Sequence, residues 1–149
     1  MNHVIETIAE PSTAQIEAVN SILRVHNQSA NSDFWEARGR IENEPVPIQL
    51  FASDEVGGVS GGLFGSTQFA WLKVDVMALV EAARGEGIGR ALLEKAESIA
   101  RKRGCLRAYV DTMDYQAPEF YEKMGYTVAG KLSDWDSHGH DKYFFVKSL

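Results

Sequence analysis

Apolar positions along this 149-residue chain follow two periods, and the switches between them mark its elements. Alternation in His3–Ile8 (HVIETI) predicts an edge strand. Pro11-Ser12 opens a helix, with Ser12 and Gln15 at capping-box spacing and Ile16, Val19, Ile22 and Leu23 on one apolar face. Asn27 to Asp33 reads as a polar break, and Phe34 to Ile41 as a second short helix ended by the two prolines of Asn43–Pro47. Ile48–Ala52, a turn at Asp54-Glu55 and Val56–Phe64 read as a hairpin, with Gly65-Ser66-Thr67 as the next turn. Gly57, Gly58, Gly61 and Gly62 weaken that second strand unless another backbone or a ligand approaches closely.

Trp71–Val80 (WLKVDVMALV) is the clearest strand, with Leu72, Val74 and Val76 on one face and Lys73 and Asp75 on the other. Ile88, Leu92, Leu93, Ala96, Ile99 and Ala100 then recur at helical spacing up to Gly104, placed as a helix-ending glycine. Leu106–Met113 is a further strand, and Pro118–Met124 a short helix stopped by Gly125. Tyr126–Lys131 and Lys142–Lys147 read as an antiparallel pair joined by the polar loop SDWDSHGHD. The resulting order βααβββαβαββ predicts an α/β fold: a mixed, six- to seven-stranded sheet flanked by helices, in one domain spanning 1–149.

Composition narrows the class. Apolar residues make up 44% and charged residues 24%, as in an ordinary soluble domain, and no apolar run reaches membrane-spanning length. A net charge of −6 argues against broad nucleic-acid binding. The single cysteine, Cys105, excludes an internal disulfide and a Cys-rich zinc site, and with no signal peptide legible the expected setting is cytoplasmic. His138 and His140 share a loop without a further ligand grouping, so no metal is expected.

The stretch ARGEGIGRALL, Ala83 to Leu93, places Gly85, Gly87 and Gly89 between a strand and a helix. The first N–H groups of a helix lack internal partners and the dipole favours negative charge there, so this is either an anion cradle or a tight packing turn. No Lys-Ser/Thr follows, which excludes a Walker A loop, and the glycine spacing does not fit a dinucleotide fingerprint.

Arg84-x-x-Gly87-x-Gly89 resembles the (Arg/Gln)-x-x-Gly-x-(Gly/Ala) signature of the GNAT superfamily of N-acetyltransferases. Ala117–Tyr126 (APEFYEKMGY) is similar to that superfamily's second signature, and the element order is also the superfamily's, so the resemblance covers nearly the whole chain. The C-terminal GHDKYF, Gly139 to Phe144, with the Asp111-Thr112 strand end, resembles a bacterial subgroup acting on small molecules. The chain departs from the pattern before Arg84, where Val80 and Glu81 stand in place of a frequent proline.

The resemblance implies a co-substrate, acetyl-CoA, and transfer of its acetyl group to an amine by direct attack, without a covalent enzyme intermediate. By the same resemblance, the N–H groups of Gly85, Glu86, Gly87, Ile88, Gly89 and Arg90 would cradle the pyrophosphate, with Arg84 at the loop entrance. Met77, Ala78 and Leu79 would pair with the pantetheine arm where the strands splay. Tyr121 holds the position of the general acid that protonates the thiolate, as a phenol protonated at neutral pH can. Asp75 is the candidate base, directly or through water, or else a surface carboxylate paired with Lys73. Gln116 stands near a position where relatives carry a cofactor-touching asparagine. Trp135 and His140 are candidate acceptor contacts, Asp111 is a strand-end or structural carboxylate, and Cys105 a buried thiol. The expected acceptor is a small primary amine; a peptide amine or a non-catalytic acyl-CoA sensor are the alternatives, and a homodimer the expected assembly.

Overall fold

The alternating segments between Val46 and Ser148 pair into a single mixed sheet in a computed structural model that describes residues 3–149. Its strands are β1 (Val46–Ser53), β2 (Val59–Gln68), β3 (Trp71–Leu79), β4 (Arg107–Met113), β5 (Thr127–Leu132) and β6 (Lys142–Ser148), in spatial order β1-β2-β3-β4-β6-β5. Among the described residues only β3 and β4 run parallel, joined through helix α3 (Ile88–Lys102). Helix α4 (Pro118–Lys123) carries proline in its first turn, where the missing N–H costs nothing, and ends before Gly125 at φ +84.

The apolar stripe of α3 buries Leu92, Leu93, Ala96 and Ala100 against Leu63, Leu72, Val74, Val110 and Phe145 of the sheet. Arg103, just past α3, donates to Val46 O, Pro47 O and Thr67 Oγ1 at 3.1–3.3 Å and fastens that end to β1 and β2. Glu97 is 2% exposed on the same helix; its carboxylate accepts from Lys147 at 2.8 and 2.9 Å, Tyr126 at 3.1 Å and Arg101 at 3.3 Å. A helical pattern alone assigns such a residue to the surface, and its partners come from 29 and 50 positions away.

Among the described residues, those up to Glu44 form a compact unit of helices α1 (Thr13–Ala30) and α2 (Ser32–Arg38) with a 3-10 turn at Ile41–Asn43. The capping box forms as its spacing predicts: Ser12 N–H donates to Gln15 Oε1 at 2.9 Å and Gln15 N–H to Ser12 Oγ at 3.2 Å. Among the described residues no helix is long and apolar enough to cross a membrane.

Four expectations are corrected. His3–Ile8 forms no strand: it pairs with no neighbour, and Ile5 is 98% exposed. Alternation permits a strand but pairing makes one. Asn27–Ala30 continues α1, so the break narrows to Asn31, whose side chain caps α2. Gly65-Ser66-Thr67 is strand, not turn; Gly65 lies against the Lys73 carbonyl, where a Cβ would not fit, and the chain turns at Phe69 instead. Val76 does not join Leu72 and Val74 on the buried face. Phe64 and Gly65 pair with Val76 and Val74, so Asp75 is a bulge residue that shifts the alternation and leaves Val76 52% exposed.

Candidate active site

β3 and β4 pair only from Trp71↔Arg107 to Val74↔Val110, although the strands run on to Leu79 and Met113. Beyond that point β3 stays paired to β2, up to Leu79↔Gly61, and β4 to β6, up to Met113↔Lys142. The sheet therefore forks, and the β3 edge from Asp75 to Leu79 has no strand partner on the β4 side. An open cleft of about 810 Å³ fills the fork, lined among others by Asp75, Met77, Leu79, Asp111, Gln116 and Tyr121. Ala78 lines it as well.

The glycine turn closes one end. Gly85 and Gly87 adopt φ +82 and +80, and a Cβ at either would meet nothing within 4 Å. Both are glycine for their left-handed backbone. Gly89 differs: its Cβ would make ordinary contacts with Leu79 and Phe120 at 3.5 and 3.6 Å, so alanine fits there. Among the described residues, the backbone N–H groups of Gly85, Glu86, Gly87, Ile88, Gly89 and Arg90 donate to no acceptor. Six consecutive unclaimed donors exceed the usual four of a helix start, and Gly85, Gly87, Gly89 and Arg90 among them line the cleft together with Arg84. Arg84 Nε also donates to Leu79 O at 3.3 Å, tying the loop to the open strand end. This donor set fits a pyrophosphate.

Tyr121, on α4, is 5% exposed and packs on Tyr126 and Phe145 with ring centroids 5.7 and 5.9 Å away. No hydrogen bond uses its hydroxyl among the described residues, and no buried side-chain oxygen is left unsatisfied, so this oxygen opens on the cleft. Burial first, and the Asp111 carboxylate second, push the phenol up to about 12. It remains a proton donor throughout the neutral range.

Two carboxylates stand where the fork opens. Asp75 is 44% exposed and bound to the Lys73 ammonium at 2.7 Å. Asp111, 32% exposed, accepts from the Tyr109 hydroxyl at 3.0 Å and from Lys142 at 2.8 Å. Gln116 lines the cleft, and its carbonyl accepts from Met113 N–H at 2.8 Å and from the Thr112 hydroxyl at 3.2 Å, while its amide NH₂ has no hydrogen-bond partner among the described residues.

Trp135 and His140 are brought together on the β5–β6 loop, Trp135 N–H donating to His140 O at 2.8 Å, but neither lines the cleft. His140 Nδ1 lies 2.9 Å from Asp114 Oδ1, and its ring meets edge-on the ring of Tyr115, a cleft residue, at 4.9 Å. His138 is turned into its own loop, 2.7 Å from Asp136 O. Cys105 is buried, and burial raises its thiol pKa. Among the described residues no group of three or more His, Cys, Asp or Glu is placed to hold a metal ion. Sequence reasoning did not pick out Tyr115 and Phe120 as cleft residues; Phe120 stands beside Tyr121 in the APEFYEKMGY motif and Tyr115 two residues before that motif, which was the available signal.

Residues 46–128 match the model of the acetyltransferase (GNAT) domain. Over 130 residues the chain is 35% identical to blasticidin-S acetyltransferase of Streptomyces morookaense, across 82% of this chain and 95% of that protein. It is 41% identical over 96 residues to an acetyltransferase of Agrobacterium fabrum, across 64% of this chain and 70% of the relative. The crystal structure of an acetyltransferase from Bacillus cereus aligns with a TM-score of 0.76 at 30% identity, covering 97% of this chain and 98% of that one.

Proposed function

The chain belongs to the GNAT acetyltransferase family and is an acetyl-CoA-dependent acetyltransferase; we propose that it acetylates the primary amine of a small molecule by direct attack. One observation carries this reading: the fork of β3 and β4 joins six unclaimed N–H groups at one end to an unpartnered phenol inside. When bound, acetyl-CoA supplies an activated acyl thioester. The N–H groups of Gly85 through Arg90, with Arg84 and Arg90, hold its pyrophosphate, and the open edge at Met77, Ala78 and Leu79 pairs with its pantetheine arm. An N–H of that edge also meets the developing oxyanion. The Gln116 amide NH₂ adds one contact.

Tyr121 gives its proton to the departing sulfur, a role suited to a phenol that burial keeps protonated. Asp75 receives a proton from the acceptor's ammonium, directly or through water. Trp135 and His140 lie outside the cleft, and they meet the acceptor only where it extends past Tyr115, against which His140 packs. The small-molecule acceptor is supported by the relative named for acetylating blasticidin-S.

The test is thiol release from acetyl-CoA across a panel of small amines and peptides, with thermal denaturation in acetyl-CoA alone. We expect acetyl-CoA to raise the melting temperature, because it binds only the folded chain, and small amines to release thiol. No stabilisation at saturating acetyl-CoA contradicts the site. Turnover confined to peptides contradicts the acceptor, and stabilisation without any turnover favours a sensor.

A further inference from the structure

Asp111 stands one residue past Val110, the last residue of β4 to pair with β3, so its carboxylate sits where the fork opens. Alternation turns it away from Val110 and Thr112, both buried. Val110 belongs to the core with Leu92, Tyr121 and Phe145. Asp111 therefore meets the cleft from the sheet face opposite α3 and α4, the same face as Lys73 and Asp75. The cleft thus has two sides, one with the glycine turn and the phenol, the other with carboxylates.

Asp111 is not bare. Its Oδ1 lies 2.8 Å from the Lys142 ammonium, which in turn sits over the rings of Trp135 and Phe144 at 5.1 and 5.7 Å from their centroids. One carboxylate and two aromatic faces are the groups that recognise a primary alkylammonium. The chain keeps one of its own there, on a flexible four-carbon stem.

We propose that Asp111 anchors an ammonium of the acceptor other than the nitrogen that is acetylated, and that Lys142 occupies this place until the acceptor enters, so that Asp111, Trp135 and Phe144 select acceptors carrying a second alkylammonium. This rests on the acetyltransferase reading above. Entry exchanges one ion pair for another, which makes the site selective without making it tight. Asp75, held by Lys73 on the other arm of the fork, stays separate from this anchor.

Steady-state kinetics with acetyl-CoA and two probe amines test it: putrescine, a dication at neutral pH, and trifluoroethylamine, which is uncharged there. Asp111→Asn is expected to raise the KM for putrescine by about tenfold or more, the loss of a charge-assisted contact. The KM values for acetyl-CoA and trifluoroethylamine should stay within about twofold, as for groups that do not meet that charge. Lys142→Met keeps the stem against the rings and removes the competing charge, so it should lower the putrescine KM several-fold. An unchanged putrescine KM in Asp111→Asn overturns the anchor. A raised putrescine KM in a Lys142→Met protein of unaltered melting temperature overturns the exchange and makes Lys142 a brace. Should Asp111→Asn fail to fold, the direction of the Lys142→Met effect decides alone. Wild-type protein inactive with both amines overturns the small-amine acceptor itself and the anchor with it, an outcome distinct from an active enzyme indifferent to Asp111.

Discussion

Tyr121 and Tyr126 are both nearly inaccessible, and their rings lie 5.7 Å apart, yet their hydroxyls have opposite fates. Tyr126 donates to Glu97 at 3.1 Å, within a buried group completed by Lys147 and Arg101. The hydroxyl of Tyr121 meets no protein partner among the described residues and opens on the cleft. Burial raises both phenols' pKa values, so neither burial nor titration separates structure from function here. Hydrogen-bond accounting does. A phenol whose bond is made inside the protein fastens elements, whereas one left open is available to a ligand.

Substitutions at the two sites should separate accordingly. The largest effect expected is on turnover: Tyr121→Phe should lower kcat for thiol release by about 100-fold or more, the range of a lost general acid, while urea denaturation shows little change. Glu97→Ala should do the reverse. It strands the Lys147 ammonium, 19% exposed, and the Tyr126 hydroxyl, at a cost of about 3 kcal/mol in urea denaturation. Its kcat per folded molecule should remain near wild type. Tyr126→Phe removes a single bond from the same group and should cost about 1 kcal/mol, again without loss of kcat.

The finest distinction is in alkali. The Tyr121 phenol lies at about 12 in the fold against an ordinary 10, so the neutral form is favoured by folding. Its contribution to stability is complete below pH 10 and is lost as pH rises from 10 towards 12. Tyr126 and Tyr109 shift in the same direction. Urea melts across that range should show falling stability, with a shallower fall in Tyr121→Phe than in wild type.

Much of this arrangement was legible in the residues because it is local. The φ values of Gly87, Gly104 and Gly125 follow from turns that only glycine makes easily, and α3, α4 and their motifs lie in unbroken stretches. What escaped depends on distant partners. His3–Ile8 alternates but finds no strand to pair with, and the Asp75 bulge exists only because β2 and β3 slip by one residue. Gly65 reads as a turn residue until the Lys73 carbonyl is seen against it. Glu97 looks like a solvated helix position until Lys147 and Tyr126 close on it. At the site, the glycine spacing alone left an anion cradle and a packing turn both open, and the resemblance to the GNAT signatures pointed to the cradle and to Tyr121. Asp111 gained its place only from the point at which β3 and β4 stop pairing.

The most direct measurement is ¹⁹F NMR of protein labelled with 3-fluorotyrosine, titrated with acetyl-CoA, with Tyr121→Phe and Tyr126→Phe used to assign the two resonances. The Tyr121 signal should shift with saturable dependence on acetyl-CoA while the Tyr126 signal stays in place. A Tyr121 resonance unmoved at saturating acetyl-CoA, or a Tyr126 resonance that moves in its stead, would contradict the assignment of the open phenol to the acetyl-CoA cleft.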